Sequence, residues 1–148
     1  MKEEELKAFV KVVTEYFRGI TGTAAELFPP FIKDETTKFF NFTGIIGISG
    51  SRKGGVYYTA SMELLQNFAE YILGPGKYDD SALYDLVGEM TNTIAGNIRE
   101  TFGSSFQISV PIVMKGQLED LSLKLRPPVF IMPIEWNSCK SHLGIGLE

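Results

Sequence analysis

The chain has 148 residues, of which 44% are hydrophobic and 22% charged, a composition typical of a globular domain that buries a hydrophobic core. Its net charge of −4 provides no basic stripe for neutralising phosphates, which argues against a nucleic-acid partner. The one cysteine, Cys139, excludes an internal disulfide and is consistent with a reducing cytoplasm.

The N-terminal segment "MKEEELKAF" is acidic and does not resemble a signal peptide. No apolar stretch approaches the roughly 20 residues that a membrane-spanning helix needs. No linker, low-complexity segment or charge run divides the chain. We therefore expect a cytoplasmic protein with no membrane partner, folded as one domain over residues 1–148.

The first part of the chain predicts a helix followed by a β-hairpin. Apolar residues recur at helical spacing over residues 3–18, and Gly19 and Gly22 end the pattern. "LFPPF" then breaks any helix and leads to extended chain. The β-rich runs "FNFTGIIGISG" and "GGVYYTAS" follow, and "SRKG" joins them as a hairpin connection.

Two helices are predicted in the middle of the chain. "SMELLQNFAEYIL" carries an apolar stripe, and "GPG" at 74–76 stops it. The stripe comprises Met62, Leu65, Phe68, Ala69 and Ile72. The next helix runs from about Asp80 to Phe102, with Asp79, Asp80 or Ser81 available as its N-cap.

After Gly103 the pattern changes to strands. "FQISVPIVM", "LSLKL", "VFIMPIEW" and "SHLGIGLE" are separated by Gly, Asp and "RPP" turns, and short turns favour antiparallel pairing. The sequence thus predicts an α+β fold, in which long helices pack on a largely antiparallel sheet. Both halves contain strands and helices, which allows a pseudo-two-fold internal duplication.

The usual catalytic constellations are absent from the sequence. With one histidine, His142, and one cysteine, Cys139, there is neither a Cys/His zinc site nor a Ser-His-Asp triad, and both residues are expected to be structural. The glycine-rich "GISGSRKGG" stands between two β runs, so it predicts a hairpin turn instead of a phosphate loop. Any catalysis must therefore position a reactive group that a partner supplies.

The helix "LVGEMTNTIAGNIRETF" carries polar residues opposite its apolar face. Leu83, Val87, Met90, Ile94 and Ile98 gather on the apolar side. Asp85, Glu89, Asn92 and Gly96 gather on the other side, which would ordinarily be a solvated face. Relative to Ala, however, Asn and Gly cost roughly 0.6 and 1 kcal/mol in an exposed helix interior. Their presence suggests that another molecule approaches this face closely.

These residues resemble a known family. "GEMTNTIAGN" is similar to the E-x-x-N signature of the CheC/CheX/FliY phosphatases of bacterial chemotaxis and looks closest to CheX, with Asp85 at the upstream acidic position of the signature. The resemblance extends over nearly the whole chain. It implies removal of phosphate from the phospho-aspartate of a CheY-like response regulator, and it implies a homodimer.

The resemblance also implies roles for individual residues. Asn92 would orient the attacking water, because a carboxamide donates and accepts hydrogen bonds without changing its protonation state. Glu89 would pair with the lysine beside the receiver's phosphoryl group. The protein would need no cofactor of its own, since the receiver holds the Mg²⁺. From its size alone, we expect Gly96 to let the receiver approach the helix.

The chain departs from the family pattern at two points. Some members carry two copies of the signature, whereas only one occurs here; "ELLQ", from Glu63 to Gln66, is the other candidate for a carboxamide site. The family places a proline some way after the asparagine, and Pro111 follows sooner than that pattern suggests.

Two rival interpretations follow from the residues themselves. A CheX-like module could bind a receiver or another signalling partner without catalysis, and such binding would survive loss of the Asn92 carboxamide. Alternatively, Asp85 and Glu89, one turn apart, could bind a metal ion as carboxylate ligands, although two carboxylates alone make a poor site.

Overall fold

The three helices begin and end where the sequence carries capping residues. In the computed structural model, which describes residues 1–116 and 128–148, Asp79 Oδ1 accepts from the amide of Ala82 at 2.9 Å, and Ser61 Oγ accepts from Leu64 at 3.1 Å. Gly22 ends the first helix with a φ of 80°, a conformation that favours glycine. The helices are α1 (Glu3–Thr21), α2 (Met62–Leu73) and α3 (Asp80–Phe102).

An antiparallel sheet of eight strands forms the rest of the described structure. Its central order is β1-β7-β8-β4-β3-β5, with β2 paired to β7 and β6 paired to β3. The strands are β1 (Glu26–Leu27), β2 (Phe31–Ile32), β3 (Phe42–Gly50), β4 (Gly54–Ala60), β5 (Phe106–Ile108), β6 (Ile112–Lys115), β7 (Phe130–Trp136) and β8 (Cys139–Leu147). The predicted α+β fold and antiparallel pairing are confirmed.

The predicted strand "FQISVPIVM" is wrong as a single element. It is divided into β5 and β6, which pair with different parts of β3. The break includes Pro111, which has no backbone N–H to donate to a sheet ladder. The predicted strand "LSLKL" lies outside the described residues. The predicted hairpin is confirmed, since β3 and β4 pair directly and Arg52 in their connection forms an ion pair with Glu5 of α1.

The helices pack on one face of the sheet, where alternate residues of β3, β4, β7 and β8 form the main core with them. The predicted stripe of α2 needs correction, because Met62 and Ile72 are exposed. The buried residues of α2 are Leu64, Leu65, Phe68 and Ala69. Met62 and Ile72 occupy the two ends of the helix, beyond the width of the core. No helix of the described chain is long and apolar enough to cross a membrane.

Helix α3 lies unusually close to β3, and Gly44 permits this approach. A Cβ atom at Gly44 would stand 2.2 Å from Thr91 Oγ1 and 3.2 Å from the carbonyl oxygen of Val87. The Thr91 hydroxyl is itself fixed, since it donates to the Val87 carbonyl at 2.6 Å. The backbone of α3 is therefore held against the sheet one residue before Asn92.

Candidate functional site

The polar residues of α3 form a continuous exposed stripe. Asp85, Glu89 and Asn92 are exposed and Gly96 is half-buried, whereas the five predicted apolar residues of the helix are at most 1% exposed. At a rise of about 1.5 Å per residue, the stripe from Asp85 to Gly96 is roughly 16 Å long. The structure thus brings all four predicted site residues onto one face. Burial of α3 extends further than predicted, because Leu86, Gly88 and Thr91 are also covered.

The polar side chains of the stripe have no polar partner among the described residues. Within the described residues, the carboxylates of Asp85 and Glu89 and the carboxamide of Asn92 form no hydrogen bond and no ion pair. Polar side chains that flank the stripe do: Asp80 pairs with Lys115, and the Tyr84 hydroxyl donates to the Val113 carbonyl at 2.8 Å. None of their hydrogen-bonding groups is used by another described residue.

The two glycines of α3 differ in what the fold requires of them. A Cβ at Gly88 would meet Val113 Cγ2 of β6 at 2.8 Å, so the packing of the sheet accounts for this glycine. A Cβ at Gly96 would have no neighbouring atom within 4 Å. Gly96 instead borders a hollow of about 310 Å³, which Arg99, Glu100 and Ser104 also line. The fold does not need glycine at position 96.

Sequence reasoning missed Tyr16, which lines a groove between α1 and α3 together with Asn97. Tyr16 is half-buried on α1, and its ring is 5.8 Å from that of Phe68, centroid to centroid. Burial and, less strongly, the nearby Glu89 carboxylate raise the pKa of its hydroxyl. The sequence holds one weak signal, since Tyr16 follows the apolar residue Val13 by three positions and so falls at the margin of the buried stripe.

Gln66 has a structural role, which removes the basis for a second carboxamide site in "ELLQ". Its Nε2 donates to the Gly76 carbonyl at 3.0 Å, and its Oε1 accepts from the amide of Tyr78 at 3.1 Å. Both ends of the carboxamide thus hold the connection between α2 and α3. The sequence could not show this, because the bonds join a helix to a loop ten and twelve residues away.

The remaining candidates have structural surroundings. Cys139 is buried, and its sulfur accepts a hydrogen bond from Asn67 Nδ2 at 3.3 Å; burial raises the pKa of its thiol. His142 packs edge-on against the rings of Phe31 and Phe40, and burial lowers its pKa. Across residues 1–116 and 128–148, no three His, Cys, Asp or Glu side chains gather as a metal site. The carboxylates of Asp85 and Glu89 would need further ligands to hold a metal ion.

The arrangement is suited to positioning and docking. A carboxylate and a carboxamide stand three residues apart, about 4.5 Å along the axis of a rigid helix. Such a pair can bind a cation and orient a water molecule, but it contains no nucleophile with an activating base. A reaction at the stripe would therefore need its reacting group to come from another molecule.

Comparison with known proteins identifies similar chains. The family described as "Chemotaxis phosphatase CheX" matches residues 42–135, more than half of the chain, and the match includes all of α3. The CheY-P phosphatase CheX of Thermotoga maritima is 25% identical over 134 residues, covering 87% of this chain and 85% of that protein.

Solved structures of similar chains have the same fold. The chemotaxis protein CheX from Desulfovibrio desulfuricans superposes with a TM-score of 0.84 at 26% identity, over 98% of this chain and 99% of that one. A chain of the CheX-CheY-BeF3-Mg²⁺ complex from Borrelia burgdorferi superposes with a TM-score of 0.80 at 21% identity, over 99% of both chains.

Proposed function

Because the chain belongs to the CheX family of chemotaxis phosphatases, we propose that it removes the phosphoryl group from the phospho-aspartate of a CheY-like receiver. The observation that carries this proposal is the exposed pair Glu89 and Asn92 on one face of α3, whose side chains form no hydrogen bond or ion pair with another described residue. The name of the Thermotoga relative, CheY-P phosphatase, supports the reaction, and the complex from Borrelia supports the partner. A reaction with this partner would place the protein in the cytoplasm.

The chemistry requires little from the phosphatase. An aspartyl phosphate is an activated acyl phosphate, and the receiver would hold the Mg²⁺ that neutralises the transferred phosphoryl group. Asn92 would contribute a carboxamide that binds the attacking water through one hydrogen bond as acceptor or donor. Holding the water in line with the phosphorus replaces a random encounter by a positioned one. Hydrolysis then returns the aspartate carboxylate and inorganic phosphate.

Glu89 would dock and orient the receiver. Its carboxylate would pair with the lysine beside the receiver's phosphoryl group through a charge-assisted hydrogen bond. Asp85, one turn earlier, would extend the acidic end of the contact, and Gly96, one turn after Asn92, would admit the receiver's backbone. These four residues lie on the same face of α3, so one flat surface of the receiver can meet all of them.

A phosphate-release assay tests the proposed function. The CheY-like receiver from the same cell is phosphorylated with a small phosphodonor in Mg²⁺, and inorganic phosphate is followed with and without this protein. A rate above the receiver's own autodephosphorylation is the expected result. Binding of the activated receiver without faster release would instead identify a non-catalytic binding module.

Gly96→Ala is expected to separate stability from docking. Since a Cβ at this position has open space, the change should stabilise the helix by about 1 kcal/mol. If the receiver approaches the helix backbone here, the added methyl group should weaken binding about fivefold. The measurements are a thermal melt and a titration with receiver activated by BeF3⁻ and Mg²⁺.

Gly19→Ala is the matched control for Gly96. Like Gly96, Gly19 is a helical glycine with no described atom within 4 Å of its Cβ position, but it is exposed and lies on α1 instead of α3. The Gly19→Ala substitution should stabilise the protein and leave receiver binding unchanged. Equal binding by both variants would remove Gly96 from the docking surface.

A homodimer is part of the proposal. Strand β6 pairs only with β3 in the part of the chain that the structure describes, its first residue Ile112 is 64% exposed, and the preceding Val110 is 82% exposed. Exposed apolar side chains at an edge strand favour pairing with a second copy. Light scattering at micromolar concentration should give about twice the chain mass of 16.5 kDa. A monomer under these conditions would contradict the two-fold arrangement without affecting the phosphatase chemistry.

A further inference from the structure

Arg99 continues the exposed stripe of α3 toward the C-terminal end of the helix. It follows Asn92 by seven residues, or two turns of an α-helix, so it lies on the same face about 10 Å further along the axis. Arg99 is exposed, and it lines the hollow of about 310 Å³ that Gly96 borders. The face therefore carries carboxylates at one end, in Asp85 and Glu89, and a guanidinium at the other.

One hydrogen bond fixes the Arg99 side chain at the edge of this hollow. Its Nε donates to the carbonyl oxygen of Phe106, the first residue of β5, at 3.1 Å. Within the described residues, its two terminal nitrogens form no hydrogen bond and no ion pair, whereas Arg52 pairs with Glu5. A guanidinium has five N–H donors, so four of them remain available to a partner.

The hollow beside Arg99 is continuous with the stripe. Gly96 borders both, and a Cβ at that position would have no neighbouring atom within 4 Å. Glu100 supplies one carboxylate to the lining, but it also lines the groove toward α1 and forms no ion pair with Arg99 within the described residues. A side chain that enters the hollow from a molecule on the stripe would therefore meet the guanidinium.

A carboxylate is the group that these donors fit best. Two parallel N–H groups of a guanidinium can bind both oxygens of a carboxylate, and the charges make these hydrogen bonds stronger than neutral ones. Because the bond to Phe106 already orders the side chain, docking costs less conformational entropy. We propose that an acidic side chain of the CheY-like receiver enters the hollow and pairs with Arg99, as a second docking contact about 15 Å along α3 from Glu89. The inference rests on the proposed function.

Two contacts of opposite sign would fix the direction and the register of the receiver on α3. A receiver turned end for end would place its lysine against Arg99 and its carboxylate against Glu89, so both contacts would be repulsive. A receiver displaced by one helical turn would move about 5.4 Å along the axis and lose both pairs. Arg99 would thus be a specificity-determining docking residue, while Asn92 acts on the water.

A purely structural role is the competing explanation. A cation in the last turn of a helix interacts favourably with the helix dipole, and the bond from Arg99 to Phe106 ties the end of α3 to β5. Under this explanation, changing Arg99 would affect binding only in proportion to the loss of stability. If Arg99 binds a carboxylate, reversing its charge would weaken binding much more than removing the charge.

Titration of the full chain with receiver activated by BeF3⁻ and Mg²⁺ separates the two explanations. Arg99→Gln should raise Kd about tenfold, the effect of losing a charge-assisted hydrogen bond, and Arg99→Glu should raise it about a hundredfold. Phosphate release by Arg99→Gln at saturating receiver should keep the parental rate, because the proposed contact lies away from the phosphoryl group. Arg18→Gln is the control, since it removes the same charge from the last turn of α1 and should bind like the parent.

Charge reversal on the receiver identifies the partner group. Surface Asp and Glu residues of the receiver are replaced by Lys one at a time, and each variant is titrated with Arg99→Glu. One replacement should restore Kd to within about tenfold of the parent complex, because it re-forms an ion pair of reversed polarity. Failure of every replacement to restore binding would contradict a carboxylate partner for Arg99 and overturn the inference.

The other outcomes are also distinguishable. Equal binding by Arg99→Gln and Arg18→Gln would overturn the inference and leave the proposed function intact, provided that Glu89→Lys still abolishes the complex. Equal losses of affinity for Arg99→Gln and Arg99→Glu, with lower melting temperatures, would overturn it in favour of the structural role. Absence of receiver binding or phosphate release by the parent protein would overturn both proposals.

Discussion

Asn92→Ala should yield a folded protein that has lost nearly all phosphatase activity. Asn92 is exposed and makes no hydrogen bond within the described residues, so Ala should raise helix stability by a few tenths of a kcal/mol. Loss of a group that positions the attacking water should lower the rate of phosphate release by about two orders of magnitude, equivalent to roughly 3 kcal/mol. Receiver binding should persist, because Glu89 and Gly96 are unchanged. A thermal melt and a single-turnover phosphate-release assay on one preparation test this expectation.

Asn97→Ala is a matched control for this experiment. Asn97 belongs to the same helix but lines the groove toward α1, and its carboxamide also has no hydrogen bond within the described residues. Its removal should leave turnover close to that of the parent. Asn92→Asp should be as inactive as Asn92→Ala, because an ionised carboxylate cannot donate a hydrogen bond and repels the phosphoryl group. Full activity of Asn92→Ala would move the positioning of water to another residue.

Glu89→Lys should abolish the complex with the receiver. The substitution places two cations together in a contact that excludes water, at a cost of at least about 3 kcal/mol, or more than a hundredfold in Kd. Glu89→Ala removes the attraction without adding repulsion, and we expect a loss of about tenfold. Titration of activated receiver by fluorescence or calorimetry measures both variants.

A charge control is needed, because Glu89→Lys also changes the net charge by two units. Glu70→Lys makes the same change at an exposed position on α2 and should bind the receiver nearly as well as the parent. Raising the salt concentration should weaken the parent complex and have little effect on any residual binding by Glu89→Lys. Binding by Glu89→Lys at parental affinity would show that Glu89 does not dock the receiver's lysine.

Local patterns in the sequence were sufficient to predict the helix that carries the site. Asp79, Asp80 and Ser81 are its N-cap candidates, of which the structure selects Asp79, and Gly103 marks its end. The predicted apolar face, which follows from a period of 3.6 residues, is confirmed as the centre of a wider buried face. The exposed position of Glu89 and Asn92 is a consequence of that same period. Their roles in docking and catalysis stay predictions.

The features that the sequence did not reveal depend on contacts between distant residues. Tyr16 and Asn97 lie far apart in the sequence, and only the packing of α1 along α3 brings them to one groove. Gln66 has the composition of a surface helix residue, yet its carboxamide holds a loop. The division between β5 and β6 reflects a break that hydrophobic alternation does not register. Local sequence patterns carry no information about these long-range contacts.

Gly44 lies in close contact with Thr91. The size of the residue at position 44, in the interior of the sheet, therefore sets how far Asn92 protrudes from the surface. A larger side chain at position 44 would push α3 outward, and the carboxamide with it, although no exposed residue had changed. Lineages that retain the E-x-x-N signature could therefore diverge in turnover through drift at this interior site. In such descendants an intact signature would be a poor guide to activity.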